Sequence, residues 1–379
     1  MLKDGLLWLR SQRTEMEGCL RRLVEQSSHS ADKGGCDAVG ALLRQEVPLG
    51  CEGVLSSRYG EHLFFSGGGG AGAGGVMLVG HLDTVFPAEV FAGYRVDGGL
   101  ARGPGVLDMK GGLVVVVFAL RALREADLLP QIALTFAVVS DEEVGSPDSA
   151  PHLRARARGA SCALVFEAGR AGDAVITRRK GVGRVTVVAT GRGAHAGNDH
   201  AAGANALWGL CRFVDRAQGL TDHGRARTVN VGRLEGGLGT NTVPDAGRAM
   251  LEYRYATQAD GADLRAALSA AALGHGVPGV DLALHDGPQR PCLERTPASA
   301  ALCAAYGRHQ REAGLDFSEA ALLGGGSDAA YTAAEGVPSI DGLGPRGRGF
   351  HTLDEYVELD SLVPKAEALA RFLATHARS

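Results

Sequence analysis

The sequence predicts an α/β protein interrupted by a second, smaller α+β unit. Three observations carry this. Strand-like apolar runs alternate with helical segments up to residue 176 and again from Pro291, the pattern of a parallel sheet with helices on both faces. Between them, four strand-like segments and two helical ones follow in the order β-α-β-β-α-β, as in a ferredoxin-like unit. Residues able to do chemistry gather just past the apolar runs, where open α/β sheets place their ligands. The expected division is 1–176 and 291–379 for the first domain, with 177–290 inserted between its two segments.

Met16, Leu20, Leu23 and Val24 recur at helical spacing, predicting one amphipathic helix over about residues 5–26. A loop follows, in which His29 reads as a solvated residue, and C-D-A-V-G-A-L-L-R resumes a helix. The Gly-rich tract Ser66–Gly75 lacks the G-K-[ST] of a phosphate-binding loop and reads as a flexible connector. Val76 to Gly80 is a buried strand that ends on His81, Leu82 and Asp83. Positions i and i+2 of an extended segment face one side, and burying such polar groups unpaired costs roughly several kcal/mol. A-R-G-P-G-V-L-D-M-K-G-G then delivers Asp108 on a loop. The valines at 114–117 favour a strand, but the run continues without a breaker into F-A-L-R-A-L-R-E-A, a length that suits a buried helix. Gln131–Val139 is a strand ending in S-D-E-E-V-G-S, and Cys162–Phe166 is another ending in Glu167. In the insert, strands are expected at 181–191, 227–237, 248–255 and 280–285, with helices at Ala201–Gln218 and Ala262–Leu273.

Composition excludes several classes. A net charge of −4 with 22% charged residues gives no nucleic-acid surface. Leu113–Leu120 is far short of the roughly 20 apolar residues that span a bilayer. The N-terminal M-L-K-D-G-L-L-W-L-R is too short and too charged for a signal peptide. Seven scattered cysteines without a C-x-x-C pair suit a reduced, cytoplasmic chain.

His81, Asp108, Glu143, Glu167 and His351 remain as candidate ligands. Two histidines and three carboxylates suit zinc, and five ligands suit two ions about 3.5–4 Å apart sharing one carboxylate. Asp83 reads as the group that orients His81, and Glu142, beside Glu143, as the carboxylate that takes a proton from water. Singly, each is more often a cap or a surface charge. Jointly, at successive strand ends, they point to a metal site.

In order along the chain, H-L-D-T-V, G-P-G-V-L-D-M-K-G-G, D-E-E-V-G-S, V-F-E-A-G, G-A-H-A-G, G-G-G-S-D-A-A-Y and G-F-H resemble the co-catalytic dizinc exopeptidase and deacylase family. Glutamate carboxypeptidase, acetylornithine deacetylase, succinyl-diaminopimelate desuccinylase and aminoacylase belong to it, and the sequence is most similar to the glutamate carboxypeptidase branch. The resemblance implies a zinc-exopeptidase-like mixed sheet flanked by helices, with the insert as a lid and dimerisation domain. It implies two zinc ions, replaceable by cobalt(II) or manganese(II), bridged by Asp108. His81 and Glu167 would complete one site, Glu143 and His351 the other, with Glu142 as general base and a cis bond at Asp108–Met109. His195 would reach a partner subunit's site and steady an oxyanion; Asn241, Arg254, Arg290 and Gly325 would contact substrate, Arg290 taking a free carboxylate. The implied activity is hydrolysis of an amide beside that carboxylate, in a homodimer, with N-deacylation as the alternative. A non-catalytic binding protein of this fold would have lost a ligand or the base, and neither is missing. His200 has no assigned part.

Overall fold

The computed structural model describes residues 1–68, 70 and 74–377. Of the connector expected at Ser66–Gly75, residues 69 and 71–73 lie outside the described residues, while Ser66 and Gly67 belong instead to the strand His62–Gly67, paired with its neighbours. The chain forms two compact units: unit 1 is 1–178, 294–322 and 327–379, and unit 2 is 179–293 and 323–326.

Unit 1 opens with α1 (Leu2–Ser11), α2 (Arg13–Glu25) and α3 (Lys33–Glu46). The single helix expected over 5–26 is thus two, broken at Gln12. The reason lies in the burial pattern. Leu6 and Leu9 form one apolar stripe, while Met16, Cys19, Leu20, Leu23 and Val24 form another, and Ser11 donates its hydroxyl to the Trp8 carbonyl (2.6 Å) at the break. His29 is half-buried and held by a backbone bridge to Thr84.

The unit's main sheet contains β1 (Gly50–Val54), β2 (His62–Gly67), β3 (Val76–His81), β4 (Leu134–Val139) and β5 (Cys162–Val165), in the order β1-β2-β4-β3-β5 and then Ser339–Ile340. Pairs from β4 onward are parallel, whereas β1–β2 and β2–β4 are antiparallel. The sheet is therefore mixed, as the resemblance implies and the alternation alone did not. Residues 55–61 are too few for the crossover that a parallel β1–β2 pair needs. The valine run is helical: α4 (Gly111–Glu125) buries every residue from Gly111 to Leu120 and packs on α1 and the C-terminal helix Leu362–Ala374. It is followed by α5 (Ala150–Ala157).

Register positions the site. His81 pairs with Val139 and Val79 with Val165 across parallel strands, so His81, the 140–143 turn and Glu167 emerge level at one edge. A second, antiparallel sheet joins Arg95–Asp97, Leu100–Arg102, Tyr356–Glu358 and Gly347–Arg348. It carries His351 in the turn between its last two strands.

In unit 2, β6 (Gly181–Thr190), α6 (Ala206–Gln218), β7 (Thr228–Gly236), β8 (Ala246–Tyr255), α7 (Gln258–Leu273) and β9 (Asp281–Arg290) form an antiparallel sheet in the order β7-β8-β6-β9. This is the ferredoxin-like arrangement. Val185, Val187, Leu210, Phe213, Leu251, Leu264 and Leu268 are among the residues of its separate core. Helix α6 starts at an Asn205 cap, later than the expected Ala201, because 200–202 form their own short turn. Helix α7 starts earlier than Ala262, where the Thr257 hydroxyl accepts the Asp260 N–H. Among the described residues no helix is long and apolar enough to cross a membrane.

The start of α4 is a tight place. A methyl on Gly112 would stand 2.0 Å from the Phe166 carbonyl oxygen, in the backbone that leads into Glu167. Gly112→Ala is expected to lower stability by about 1–3 kcal/mol, the usual penalty for overpacking. A urea midpoint equal to the wild type would contradict this packing.

Candidate metal centre

His81 closes β3 with 1% exposure. Its Nδ1 lies 3.0 Å from the Asp83 carbonyl oxygen, which can only accept, so Nδ1 carries the proton. Nε2 is left facing Asp108 Oδ1 at 3.5 Å and Glu167 Oε1 at 3.8 Å. On its other side, Asp108 presents Oδ2 to His351 Nε2 at 3.4 Å, and Glu143 Oε2 stands 3.0 Å from the same nitrogen. Two groups result, His81–Asp108–Glu167 and Asp108–Glu143–His351. One carboxylate serves both, an oxygen to each. The Asp108–Met109 peptide bond is cis, and His351 has a left-handed backbone at φ 62°.

The Asp83 carboxylate approaches His81 Nδ1 at 3.4 Å, but its hydrogen bonds run elsewhere. It accepts from Ser30 Oγ (2.6 Å), Glu142 N (3.1 Å) and Glu143 N (3.2 Å). Asp83 thereby orients His81 through its backbone and the 142–143 turn through its side chain. Behind that turn, Asp141 accepts the N–H groups of Asp148 and Ser149 and the Ser149 hydroxyl. Glu142 is 8% exposed.

Three buried atoms here have no hydrogen-bond partner among the described residues: His81 Nε2, Asp108 Oδ1 and Glu143 Oε1. Buried polar atoms are rarely left so, and all three belong to the two groups. A cation shared among them would satisfy each. The electrostatics agree. Burial, with repulsion from Asp108, pushes Glu143 up to about 7 and Glu167 well above the usual carboxylate range. Burial works against a charged His81, but Asp108, Asp83 and Glu167 outweigh it and hold the ring well above its ordinary value. Asp108 and Glu143 raise His351 to about 10. Asp108 is the exception among the carboxylates. Burial alone would raise it, yet His351 and His81 pull it far below the usual carboxylate range.

The remaining sequence-predicted residues lie in unit 2. His195 is exposed and pairs with Thr242, next to Asn241, whose carbonyl accepts the Ala196 N–H (2.9 Å). His195 Nδ1 accepts the N–H groups of Gly197 (3.1 Å) and Asn198 (3.0 Å), which puts its proton on the outward Nε2. Arg254 donates to the Gly324 carbonyl and to Glu252 (2.7 Å). Arg290 lies so close to Gly326 that a methyl there would meet its Cδ at 2.6 Å. Arg254, Arg290 and the 324–326 loop with Gly325 are thus brought together. His200 sits exposed in the short turn 200–202.

Sequence reasoning missed three residues. Arg179, 5% exposed, donates to the carbonyls of Gly325 (3.3 Å) and Gly326 (3.4 Å); the charged run R-R-K-G before β6 was its only signal. Ser30 had none. Glu355 stands four residues past His351 and is taken up below.

Two ligand groups sharing a carboxylate fit a dinuclear metal centre, and together with the family and relatives that the chain matches they make it a metal-dependent hydrolase of peptide or other amide bonds. The chain belongs to the peptidase family M20/M25/M40, whose description it matches over residues 77–375. It is 29% identical over 362 residues to carboxypeptidase G2 of Pseudomonas sp. (strain RS-16), covering 93% of this chain and 87% of that protein. It is 26% identical over 369 residues to succinyl-diaminopimelate desuccinylase of Marinobacter nauticus, covering 93% and 96%. Its fold superposes on a dinuclear metal-binding M20 peptidase of Bacillus subtilis with a TM-score of 0.69 at 16% identity, covering 97% of this chain and 99% of that one.

The raised values of Glu143, Glu167, His81 and His351 give the centre a definite pH response. Protons on these groups compete with a cation, which needs carboxylates ionised and imidazoles neutral. With zinc as the probe ion, affinity is expected to rise from pH 6 to pH 8, more steeply below about 7, where Glu143 is still protonated, with protons released on binding. Calorimetric titration in two buffers of different ionisation enthalpy reads both. A pH-independent affinity without proton release would refute this electrostatic picture.

Proposed function

We propose that this chain is a dizinc hydrolase that cleaves an amide bond next to a free carboxylate, in a peptide or an N-acyl amino acid. The observation that carries the reading is Asp108, which offers one oxygen to each ligand group. Ligand atoms around a tetrahedral zinc at about 2.0–2.2 Å stand about 3.3–3.6 Å apart. The four histidine-to-carboxylate separations, from 3.0 to 3.8 Å, bracket that range. His81, Glu167 and Asp108 would hold one ion; Glu143, His351 and Asp108 would hold the other. Bound there, the ions supply Lewis-acid polarisation of the scissile carbonyl and acidify water.

Each remaining step belongs to the chain. Glu142, its backbone fixed by Asp83, accepts a proton from the attacking water and returns it to the departing nitrogen. Asp83 keeps His81 in the tautomer that presents Nε2. His195, with its proton on Nε2, donates to the oxygen that gains charge at the carbonyl, a contribution of about 3–4 kcal/mol for a well-placed donor. Arg290 takes the substrate's carboxylate with its planar fork, beside Arg254 and the Gly325 loop, and Asn241 makes a further substrate contact. Unit 2 acts as the lid and as the dimerisation domain, with His195 serving the partner's site. An N-deacylase is the second reading, supported by the similarity to succinyl-diaminopimelate desuccinylases.

Glu142→Gln is expected to lower kcat about 10²–10⁴-fold while two zinc equivalents stay bound; near-normal turnover would sink the mechanism. In a panel of dipeptides and N-acyl amino acids, each with its carboxylate amidated as control, kcat/KM should collapse on amidation. Equal rates with and without the carboxylate would remove Arg290 from its role. Sedimentation should give a dimer, and a fully active monomer would contradict the part given to His195.

A further inference from the structure

Asp108 and His351 come from distant parts of the chain, and one small sheet brings them together. Leu100–Arg102 pairs with Tyr356–Glu358, Arg102 opposite Tyr356. Asp108 follows the first of these strands by one turn, and His351 precedes the second by one turn. Between that pairing and the two ligands stands Glu355, 2% exposed. Its side chain reaches back across the sheet into the other segment. Oε1 accepts the N–H groups of Leu107 (2.8 Å) and Asp108 (2.9 Å), and Oε2 accepts that of Gly105 (3.1 Å).

The turn is shaped for this. Gly105 has a left-handed backbone at φ 69°, and a methyl there would stand 2.4 Å from Thr84 Cγ2. Successive N–H groups in such a turn converge on one concave face, which binds an anion. Three donors need acceptors at both oxygens, which a carboxylate offers and an amide does not. A glutamine in the same place would turn an NH₂ toward one donor. A second carboxylate beside Asp108 is electrostatically unfavourable, so its presence calls for a function in the backbone it binds.

We propose that Glu355 is the positioning residue of the metal centre. By holding the amide of Asp108 itself, from a residue on the turn that carries His351, it sets the separation of the two ligands common to the Asp108–Glu143–His351 group. Glu355 touches neither the ligand side chains' free atoms nor substrate, and it acts through Asp108. This rests on the dizinc reading above.

Chelator-buffered zinc titration of the full chain tests it, on wild type and Glu355→Gln. Removing a residue that orients a ligand weakens metal binding about 10–100-fold, and this variant should lose affinity to that extent for the weaker equivalent first. At limiting zinc its kcat should fall with KM near the wild-type value, and excess zinc should restore kcat. Hydrogen exchange of the metal-free chains should be faster at Leu107 and Asp108 in the variant. Wild-type zinc affinity in a variant that merely melts at a lower temperature would overturn the proposal, and so would unchanged exchange at these amides. If the wild type itself takes up no zinc, the dizinc reading fails instead, and the exchange comparison alone then decides whether Glu355 holds the Asp108 turn.

Discussion

The constraint on which unit 1 depends is the burial of Asp108 among like charges. Glu143 and Glu167 flank it, and Glu142, Asp83 and Glu355 stand near; His81 and His351 offer opposite charge at its carboxylate, and the buried Lys110 offers it to Asp83 and Glu355. Buried ionised carboxylates without partners are expensive. The chain sorts them into two kinds. Asp83, Asp141 and Glu355 are saturated by backbone N–H and hydroxyl donors. Asp108 and Glu143 each keep a buried oxygen without a partner, as does the His81 ring nitrogen. Satisfied carboxylates build the frame, and unsatisfied ones face the centre.

That sorting is possible because the frame is rigid. Parallel register brings three strand ends level, and β3, the strand of His81, is buried along its whole length. A helix with its first ten residues buried lies directly after Asp108, so the loop cannot shift without opening the core. In close-packed interiors small displacements are resisted strongly. The five ligand candidates are thereby held by sheet, helix and hairpin and not by one another.

Unit 2 follows different rules. Its core is its own, and Arg179, Arg254 and Arg290 meet at the 324–326 loop, a late segment of sequence that Arg179 and Arg254 tie to it by backbone carbonyls. Hydrogen bonds of this kind have no sequence pattern, since any carbonyl can accept. This is why Arg179 was not legible, whereas the strands of the unit were, from their period-two alternation. The same holds in unit 1. Ser30 and Glu355 make contacts defined by where the backbone passes, and nothing in S-S-H-S or H-T-L-D-E-Y states it. The break at Gln12 was hidden because two short apolar stripes can be read as one long helix.

The sequence by itself determined the class of fold and singled out the histidines and carboxylates that the fold brings together. Histidines and carboxylates at the ends of apolar runs are local signals, and so are the two periodicities that separate strand from helix. Which strands are antiparallel, which oxygen of Asp108 faces which histidine, and which carboxylates serve the backbone were decided only by the tertiary structure. Those choices depend on distances between segments up to 250 residues apart. The energy that selects among them, the desolvation of each charge against its final set of partners, exists only once those segments have met.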